Sequence, residues 1–76
     1  MSQDYRPDNW VVLKVKEGKG TFPFYKVLGG WSGGYLDGDS WRMNSGVTEV
    51  EIYGEHYIFR GNSGSEYWCH METYGL

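Results

Sequence analysis

Three short stretches of this sequence place serine, aspartate or histidine at spacings that could carry chemistry. Residues 30–34, GWSGG, match G-x-S-x-G, the pattern that presents a serine nucleophile on a sharp strand-to-helix turn. That arrangement needs a large sheet, a helix, and a base and an acid from distant loops. A chain of 76 residues without a helical pattern has no room for it. A glycine-rich bend is the favoured interpretation, and we expect a protein that is not an enzyme.

Two other stretches contain possible metal ligands. Residues 37–40, DGDS, begin like a calcium-binding loop, but Thr48 stands at the twelfth position, where such a loop needs a bidentate glutamate. His56 and His70 become cross-strand neighbours in the register derived below, and two imidazoles can begin a zinc site. A zinc site needs a third ligand, and no residue is an obvious fit. We therefore expect a turn, two solvated histidines, no metal and no cofactor.

The chain is organised around Val47 to Met71, which predicts three antiparallel strands joined by two tight turns. Gly54 and Glu55 suit a two-residue turn, because glycine supplies the positive φ that the first position needs. Residues 62–64, NSG, suit a three-residue loop with Gly64 in the left-handed position. The resulting register joins apolar residues on one face and opposite charges on the other. Its pairs are Tyr53–His56, Ile52–Tyr57, Val50–Phe59, Glu49–Arg60, Arg60–Glu66, Phe59–Tyr67, Ile58–Trp68, Tyr57–Cys69 and His56–His70.

This register sorts the side chains of the meander into an inner and an outer face. The inner set is predicted to form the core and consists of Val50, Ile52, Tyr57, Phe59, Tyr67, Cys69 and Met71. The outer face combines aromatic rings with an aliphatic side chain, which is typical of an interface. The alternative is a second apolar layer, covered by the N-terminal arm or by residues 29–36. The interface candidates are Tyr53, Ile58, Trp68, His56 and His70, together with Trp31 and Tyr35 from the glycine-rich segment.

Two further strands are predicted before the meander. Residues 10–16 alternate, and two lysines mark one face as solvated. The inward residues predicted for this strand are Val11, Leu13 and Val15. Residues 21–29 form the second strand, at an edge or a bend because of Pro23. Its inward residues are predicted to be Tyr25 and Val27, whereas Phe24 and Leu28 point outward and need a cover from the arm or from a partner chain.

The segment between these strands and the meander is rich in glycine. Residues 29–41 hold five of the twelve glycines and predict a bent strand around Trp31 and Tyr35. Residues 40–43 resume the alternation, with Trp41 and Met43 predicted to point inward.

Composition supports an all-β fold and a small single domain. The chain has twelve Gly, seven Tyr, four Trp and no Ala, which is the best helix former. We expect a flexible arm over residues 1–8 and one domain over residues 9–76. Five to six short antiparallel strands in that length suit a single small barrel of the SH3-like or Sm-like kind. The single Cys69 and the absence of a signal peptide indicate a reducing cytoplasm, and no membrane association is expected.

The charge distribution bears on the partner. The net charge is −3, with +2 over residues 1–30 and −5 over residues 31–76. Binding along a phosphate backbone needs clustered basic residues, so this balance disfavours nucleic acid. Single strands held by aromatic stacking remain the alternative. The cations available for that alternative are Lys14, Lys16, Lys19, Lys26 and Arg6.

The strings YKVLGGWSGGYLDGDSWRMNSGV and GNSGSEYWCH, with the terminal YGL, resemble small uncharacterised proteins of marine tailed phages that infect cyanobacteria. The resemblance covers most of residues 9–76. It implies a phage or marine source, with the host cytoplasm as location, and it implies no activity and no site residues. The residues themselves predict a small protein-interaction module that self-associates, with nucleic-acid binding as the alternative.

Overall fold

The computed structural model describes residues 4–16, 24–34 and 38–75, and this part of the chain is all-β, as predicted. It contains seven strands rather than five or six, followed by a 3-10 turn over Met71–Thr73. The strands are β1 (Asp4–Tyr5), β2 (Asn9–Val15), β3 (Phe24–Gly34), β4 (Gly38–Met43), β5 (Val47–Tyr53), β6 (His56–Gly61) and β7 (Glu66–His70). No helix in these residues is long and apolar enough to cross a membrane.

A four-stranded sheet in the order β1-β7-β6-β5 contains the predicted meander. Every predicted strand pair of the meander is confirmed, from Tyr53–His56 to Arg60–Glu66. The turns explain this agreement, because Gly54 has φ +60° and Gly64 has φ +84°, both in the region that favours glycine. The Gly64 N–H also donates to the Gly61 carbonyl oxygen at 3.0 Å.

Strand β1 adds a parallel pair to this sheet, which departs from the purely antiparallel prediction. Asp4 lies opposite Glu66, and Tyr5 lies opposite Tyr67. Part of the predicted arm is therefore a strand. The Tyr5 ring packs on Tyr67 with the centroids 4.9 Å apart, and this contact places the segment against the core.

A three-stranded sheet in the order β2-β3-β4 forms the second layer. The second predicted strand, β3, lies in the middle of this sheet rather than at an edge. Its pairing with β4 shifts between Trp31 and Gly34, which is the irregularity predicted for the glycine-rich bend. A bridge between Trp10 and Gly75 brings the C-terminal end of the chain against β2. The remaining ladders of the described residues lie within the two sheets.

The core lies where the two sheets overlap. It consists of Trp10, Val27, Phe59, Tyr67 and Cys69, all buried. The Trp10 ring packs against Phe59 at 5.5 Å, and its Nε1–H donates to the His70 carbonyl oxygen at 2.7 Å. One indole therefore fills the space between the sheets and satisfies its polar atom there.

The prediction of which face of β2 points toward the core is wrong. Trp10 is only 3% exposed and Val12 packs against the core, so Val11, Leu13 and Val15 point to the opposite side. The prediction assumed that the face with the lysines is the solvated one. Lys14 and its cross-strand neighbour Tyr25 instead lie on the core side, but beyond the overlap of the sheets. Tyr25 is exposed for that reason, although it was predicted to point inward, whereas Val27 is buried as predicted.

Several other residues assigned to the core are exposed. Val50 and Ile52 are on the inner side of the edge strand β5, but they lie beyond the overlap of the two sheets, and Ile52 is 66% exposed. Trp41 and Met43 pair with Gly30 and Leu28. This pairing places both side chains on the outer side of the three-stranded sheet. Met71 lies in the 3-10 turn and is half-buried.

Candidate binding surfaces

The outer face of the meander brings together five of the predicted interface residues. Their rings form a chain of edge-to-face contacts: Tyr53 to Trp68 at 5.6 Å, Trp68 to His56 at 6.1 Å, and His56 to His70 at 5.0 Å between centroids. Tyr53 is well exposed, whereas Trp68 and both histidines are half-buried. Ile58, predicted to be exposed here, is 2% exposed. It lies between Glu51 and Trp68 on the neighbouring strands, and its burial makes it a structural residue.

A charged cluster lies next to these rings. Arg60 contacts three carboxylates: Glu51 and Glu66 at 2.8 Å and Glu49 at 3.2 Å. The hydrogen bond from Arg60, together with one from the Trp68 indole, holds the pKa of Glu66 below its ordinary value. The hydrogen bonds that Arg60 donates to Glu66 and Glu51 raise the pKa of Arg60. This part of the face is satisfied within the chain.

The N-terminal segment covers part of the same face. The Arg6 guanidinium lies 4.4 Å from the centroid of the Trp68 ring. The Arg6 carbonyl oxygen accepts a hydrogen bond from Trp31 Nε1–H at 3.0 Å. Trp31 therefore lies on the far side of this segment, away from the other candidates. Tyr35 lies outside the described residues.

The two histidines are opposite each other, as the register predicted. His70 Nδ1 accepts the backbone N–H of Glu72 at 3.1 Å, and His70 Nε2 lies 3.3 Å from a Glu55 oxygen. Both nitrogens of His70 are therefore engaged within the chain. Among the described residues, no three side chains of the metal-binding types converge on one point.

The G-x-S-x-G serine lies inside a strand. Ser32 belongs to β3, and its backbone N–H donates to an Asp8 carboxylate oxygen at 3.0 Å. The strand-to-helix turn that a nucleophile elbow needs is thus replaced by extended backbone. For the calcium-like stretch, residues 38–40 belong to β4, and residue 37 lies outside the described part.

The cations proposed for nucleic acid are spread over the molecule. Lys26 lies on the outer side of the three-stranded sheet, 5.7 Å from the Phe24 ring centroid. Lys14 lies on the opposite side of that sheet, and Arg6 covers Trp68. Lys19 is not among the described residues. The three cations placed here, Lys14, Lys26 and Arg6, do not share one surface.

The outer side of the three-stranded sheet carries a contiguous set of apolar side chains. We call it the apolar face, and it consists of Val11, Leu13, Val15, Phe24, Leu28 and Met43. Leu13 is 36% exposed and Met43 is 46% exposed, and none of the six packs against the core. Lys26 is the charged residue among their cross-strand pairs. The outward direction predicted for Phe24 and Leu28 agrees with this register.

An open pocket of about 280 Å³ lies beside the end of this sheet. We call it the aromatic pocket, and it is lined by Tyr5, Trp31, Ser40, Trp41 and Arg42. The Arg42 guanidinium lies 4.8 Å from the Tyr5 ring centroid, and the Tyr5 and Trp31 rings meet edge to face at 6.2 Å. Trp41 and Arg42 were not predicted here. The signal for this pocket in the sequence was the adjacent indole and guanidinium next to a glycine-rich strand.

No protein-family model, no curated protein and no solved structure matches this chain. The functional assignment therefore depends on the surfaces described above.

Proposed function

We propose that this protein is a non-enzymatic protein-interaction module that self-associates, with a second copy of the chain packed on the apolar face. The observation that carries the proposal is the outer side of the three-stranded sheet, where apolar side chains occupy nearly every position of three strands. Side chains along a strand normally alternate between an apolar core face and a polar solvated face. A contiguous apolar face is instead typical of an interaction site.

A second copy is the best-supported occupant for two reasons. The described residues contain few fully buried apolar side chains, and a domain of this size gains stability from oligomerisation. Two identical sheet faces can also pack about 10 Å apart around a twofold axis, each supplying the same residues. Lys26 can extend its ammonium group to the rim of such a contact while its stem stays on apolar surface.

The extent of the face predicts a weak dimer. Three strands about 4.8 Å apart and some five residues long span roughly 200 Å² of sheet plane. A standard interface buries about 800 Å² on each partner, so even with side-chain area the contact is small. We expect association in the micromolar to millimolar range, with exchange between monomer and dimer.

The test is solution mass by analytical ultracentrifugation over a range of protein concentration. The wild-type chain should move from monomer to dimer mass as concentration rises. Leu13→Glu should weaken the dimer at least about tenfold, because the new carboxylate would be buried against an apolar partner. The matched control is Tyr53→Glu, which adds the same charge to an exposed position on the other sheet.

The outcomes separate the two faces. If Tyr53→Glu abolishes the dimer and Leu13→Glu does not, the interface is the outer face of the meander. A wild-type chain that stays monomeric at every concentration contradicts self-association.

Three other predictions stay predictions. The SH3-like or Sm-like barrel is supported by the bridge from Trp10 to Gly75 and by the short connection between β4 and β5. The phage and marine source rests on the resemblance of the sequence. The cytoplasmic location is supported by the free, buried Cys69.

A further inference from the structure

We propose that the open edge of strand β5 binds an extended segment of a partner protein in which basic and apolar side chains alternate. The segment would add one strand to the four-stranded sheet through main-chain hydrogen bonds. The apolar face lies on the other sheet, so this site does not depend on self-association.

Strand β5 is an edge of its sheet and is exposed along nearly its whole length. Six of its seven residues are exposed. Within residues 4–16, 24–34 and 38–75, β5 pairs with β6, and no strand pairs with its other edge. Proteins usually cover, shorten or bend such an edge, because its unpaired N–H and C=O groups can pair with another strand. The regular stretch from Glu49 to Tyr53 is therefore long enough to accept an added strand.

The hairpin turn determines which main-chain groups face the open edge. Gly54 has φ +60° and the loop has two residues, so Tyr53 and His56 form a hydrogen-bonded pair. Hydrogen-bonded and non-hydrogen-bonded pairs alternate from there along an antiparallel ladder. Val50 and Ile52 consequently occupy non-hydrogen-bonded positions opposite β6. Their N–H and C=O groups point to the open edge.

The two faces of β5 require different side chains from the partner. Val50 and Ile52, on the inner side, are 50% and 66% exposed. Glu49 and Glu51 lie on the outer side, with side chains that are 67% and 49% exposed. Apolar pairs and pairs of opposite charge across neighbouring strands each stabilise a sheet. A segment that alternates apolar residues with lysine or arginine matches both faces.

The charge beside this edge favours a basic segment. Arg60 contacts Glu49 and Glu51 on β5, and it also contacts Glu66 on the far side. One cation against three carboxylates leaves an excess of two negative charges. Basic side chains on an added strand would reduce that excess.

The same glutamates disfavour a second copy of the chain at this edge. If two copies of β5 paired antiparallel with the centre at Glu51, this residue would lie opposite its own copy. With the centre at Val50, Glu49 would lie opposite Glu51. Like charges in these positions destabilise a sheet, and charged residues commonly protect edges from self-pairing. The edge therefore discriminates between a copy of itself and a strand of opposite charge.

The experiment titrates the full chain with a capped, fluorescently labelled seven-residue peptide of alternating lysine and valine, following anisotropy. We expect a Kd below about 1 mM that weakens as salt is added. A peptide of alternating glutamate and valine should bind at least about tenfold more weakly. The lysine peptide with proline at its central valine should also lose at least about tenfold, because proline lacks the main-chain donor.

Two variants at one position separate the main chain from the side chain. Val50→Pro removes an N–H that points to the open edge and leaves the ladder with β6 intact, as proline does on edge strands. It should reduce the affinity for the lysine peptide at least about tenfold. Val50→Thr keeps the N–H and the branched shape, and should reduce the affinity less than about threefold. Circular dichroism shows that each variant is folded.

Hydrogen exchange of the wild-type chain gives a readout that needs no variant. The lysine peptide should slow amide exchange at Val50 and Ile52, because their N–H groups become bonded. The Glu51 amide already bonds to β6 in the register derived above, so its exchange should change little.

Three results would overturn the proposal. The first is no binding of the lysine peptide at millimolar concentration, and the second is equal affinity for the glutamate peptide. The third is slowed exchange in β2, β3 or β4 instead of at Val50 and Ile52, which would assign the peptide to the apolar face. A folded Val50→Pro chain with wild-type affinity would equally contradict main-chain pairing at this edge.

Discussion

At the scale of single residues, one guanidinium determines the character of the outer face of the meander. Arg60 bridges carboxylates on both neighbouring strands. Its contacts with Glu51 and Glu66 are equally short, at 2.8 Å. Because the pKa of Glu66 lies below its ordinary value of 4.5 in the folded chain, its stabilising effect is complete above that value. The effect is lost as the pH falls through the folded pKa. We expect the urea midpoint of the wild-type chain to fall below about pH 4.5, and that of Glu66→Gln to depend less on pH.

The matched control is Glu49→Gln, which removes the same charge from the same cluster. The Glu49 side chain is 67% exposed, against 22% for Glu66, and it lies farther from the guanidinium. Solvent screens such a pair strongly, so this variant should keep nearly the wild-type pH profile. Equal profiles for the two variants would show that the contact between Arg60 and Glu66 has no special weight.

At the scale of elements, two turns with the same sequence behave differently. The string R-x-N-S-G occurs at residues 42–46 and again at residues 60–64. In the first copy Asn44 is buried: its Oδ1 accepts the Val27 backbone N–H at 2.8 Å, and the backbone N–H of Asn44 donates to the Val27 carbonyl oxygen at 3.0 Å. In the second copy Asn62 is exposed. Asn44 thus prolongs the pairing of β4 with β3 by one side-chain bond.

Asn44→Ala should therefore destabilise the fold by about 1–3 kcal/mol, because it leaves the buried Val27 N–H without an acceptor. Asn62→Ala makes the same chemical change in the same sequence context and should cost less than about 0.5 kcal/mol. Chemical unfolding of the two variants measures the difference. Equal losses would mean that turn propensity, and not the bond to Val27, gives Asn44 its effect.

The elements also show what the sequence could and could not predict. The register of the meander was predictable because Gly54 and Gly64 fix the turn types locally. The inner face was predictable in the middle of that sheet, at Phe59 and Tyr67, but not at Ile52. Burial at an edge depends on how far the other sheet extends, and no local pattern contains that information.

The same limit applies to strand β2, both of whose faces are apolar. From alternation alone, Trp10 and Leu13 are equally good candidates for the core, and the nearby lysines favoured the wrong face. The aromatic pocket was not predictable, because Tyr5, Trp31 and Arg42 meet only after three strands from both sheets are assembled.

At the scale of the whole molecule, the two sheets overlap only in part. The radius of gyration is 13.0 Å, whereas a compact chain of this length would have about 11 Å. An extended shape leaves apolar side chains outside the overlap, on the edge strand β5 and on the apolar face. The small core and the apolar face are thus two results of one geometry, and self-association would add to the stability that the core provides.

Cys69 offers a direct measurement of that stability. Its thiol is fully buried between the sheets, and burial raises its pKa to about 12 from an ordinary value of 9.0. Thiol reagents attack the thiolate, so the native chain should not react with them. Stability from the neutral thiol is complete below about pH 9 and is lost as the pH rises toward 12. Below pH 9, the labelling rate therefore reports the fraction of unfolded chain.

This rate should decrease as protein concentration rises, because a dimer of folded chains removes molecules from the unfolding equilibrium by mass action. Leu13→Glu should make labelling independent of concentration, whereas Tyr53→Glu should leave the dependence unchanged. Mass spectrometry of the labelled chain measures each rate. A wild-type labelling rate that does not change with concentration would mean that association does not stabilise the folded chain. Labelling at the rate of a free thiol would instead mean that Cys69 is accessible in the native chain.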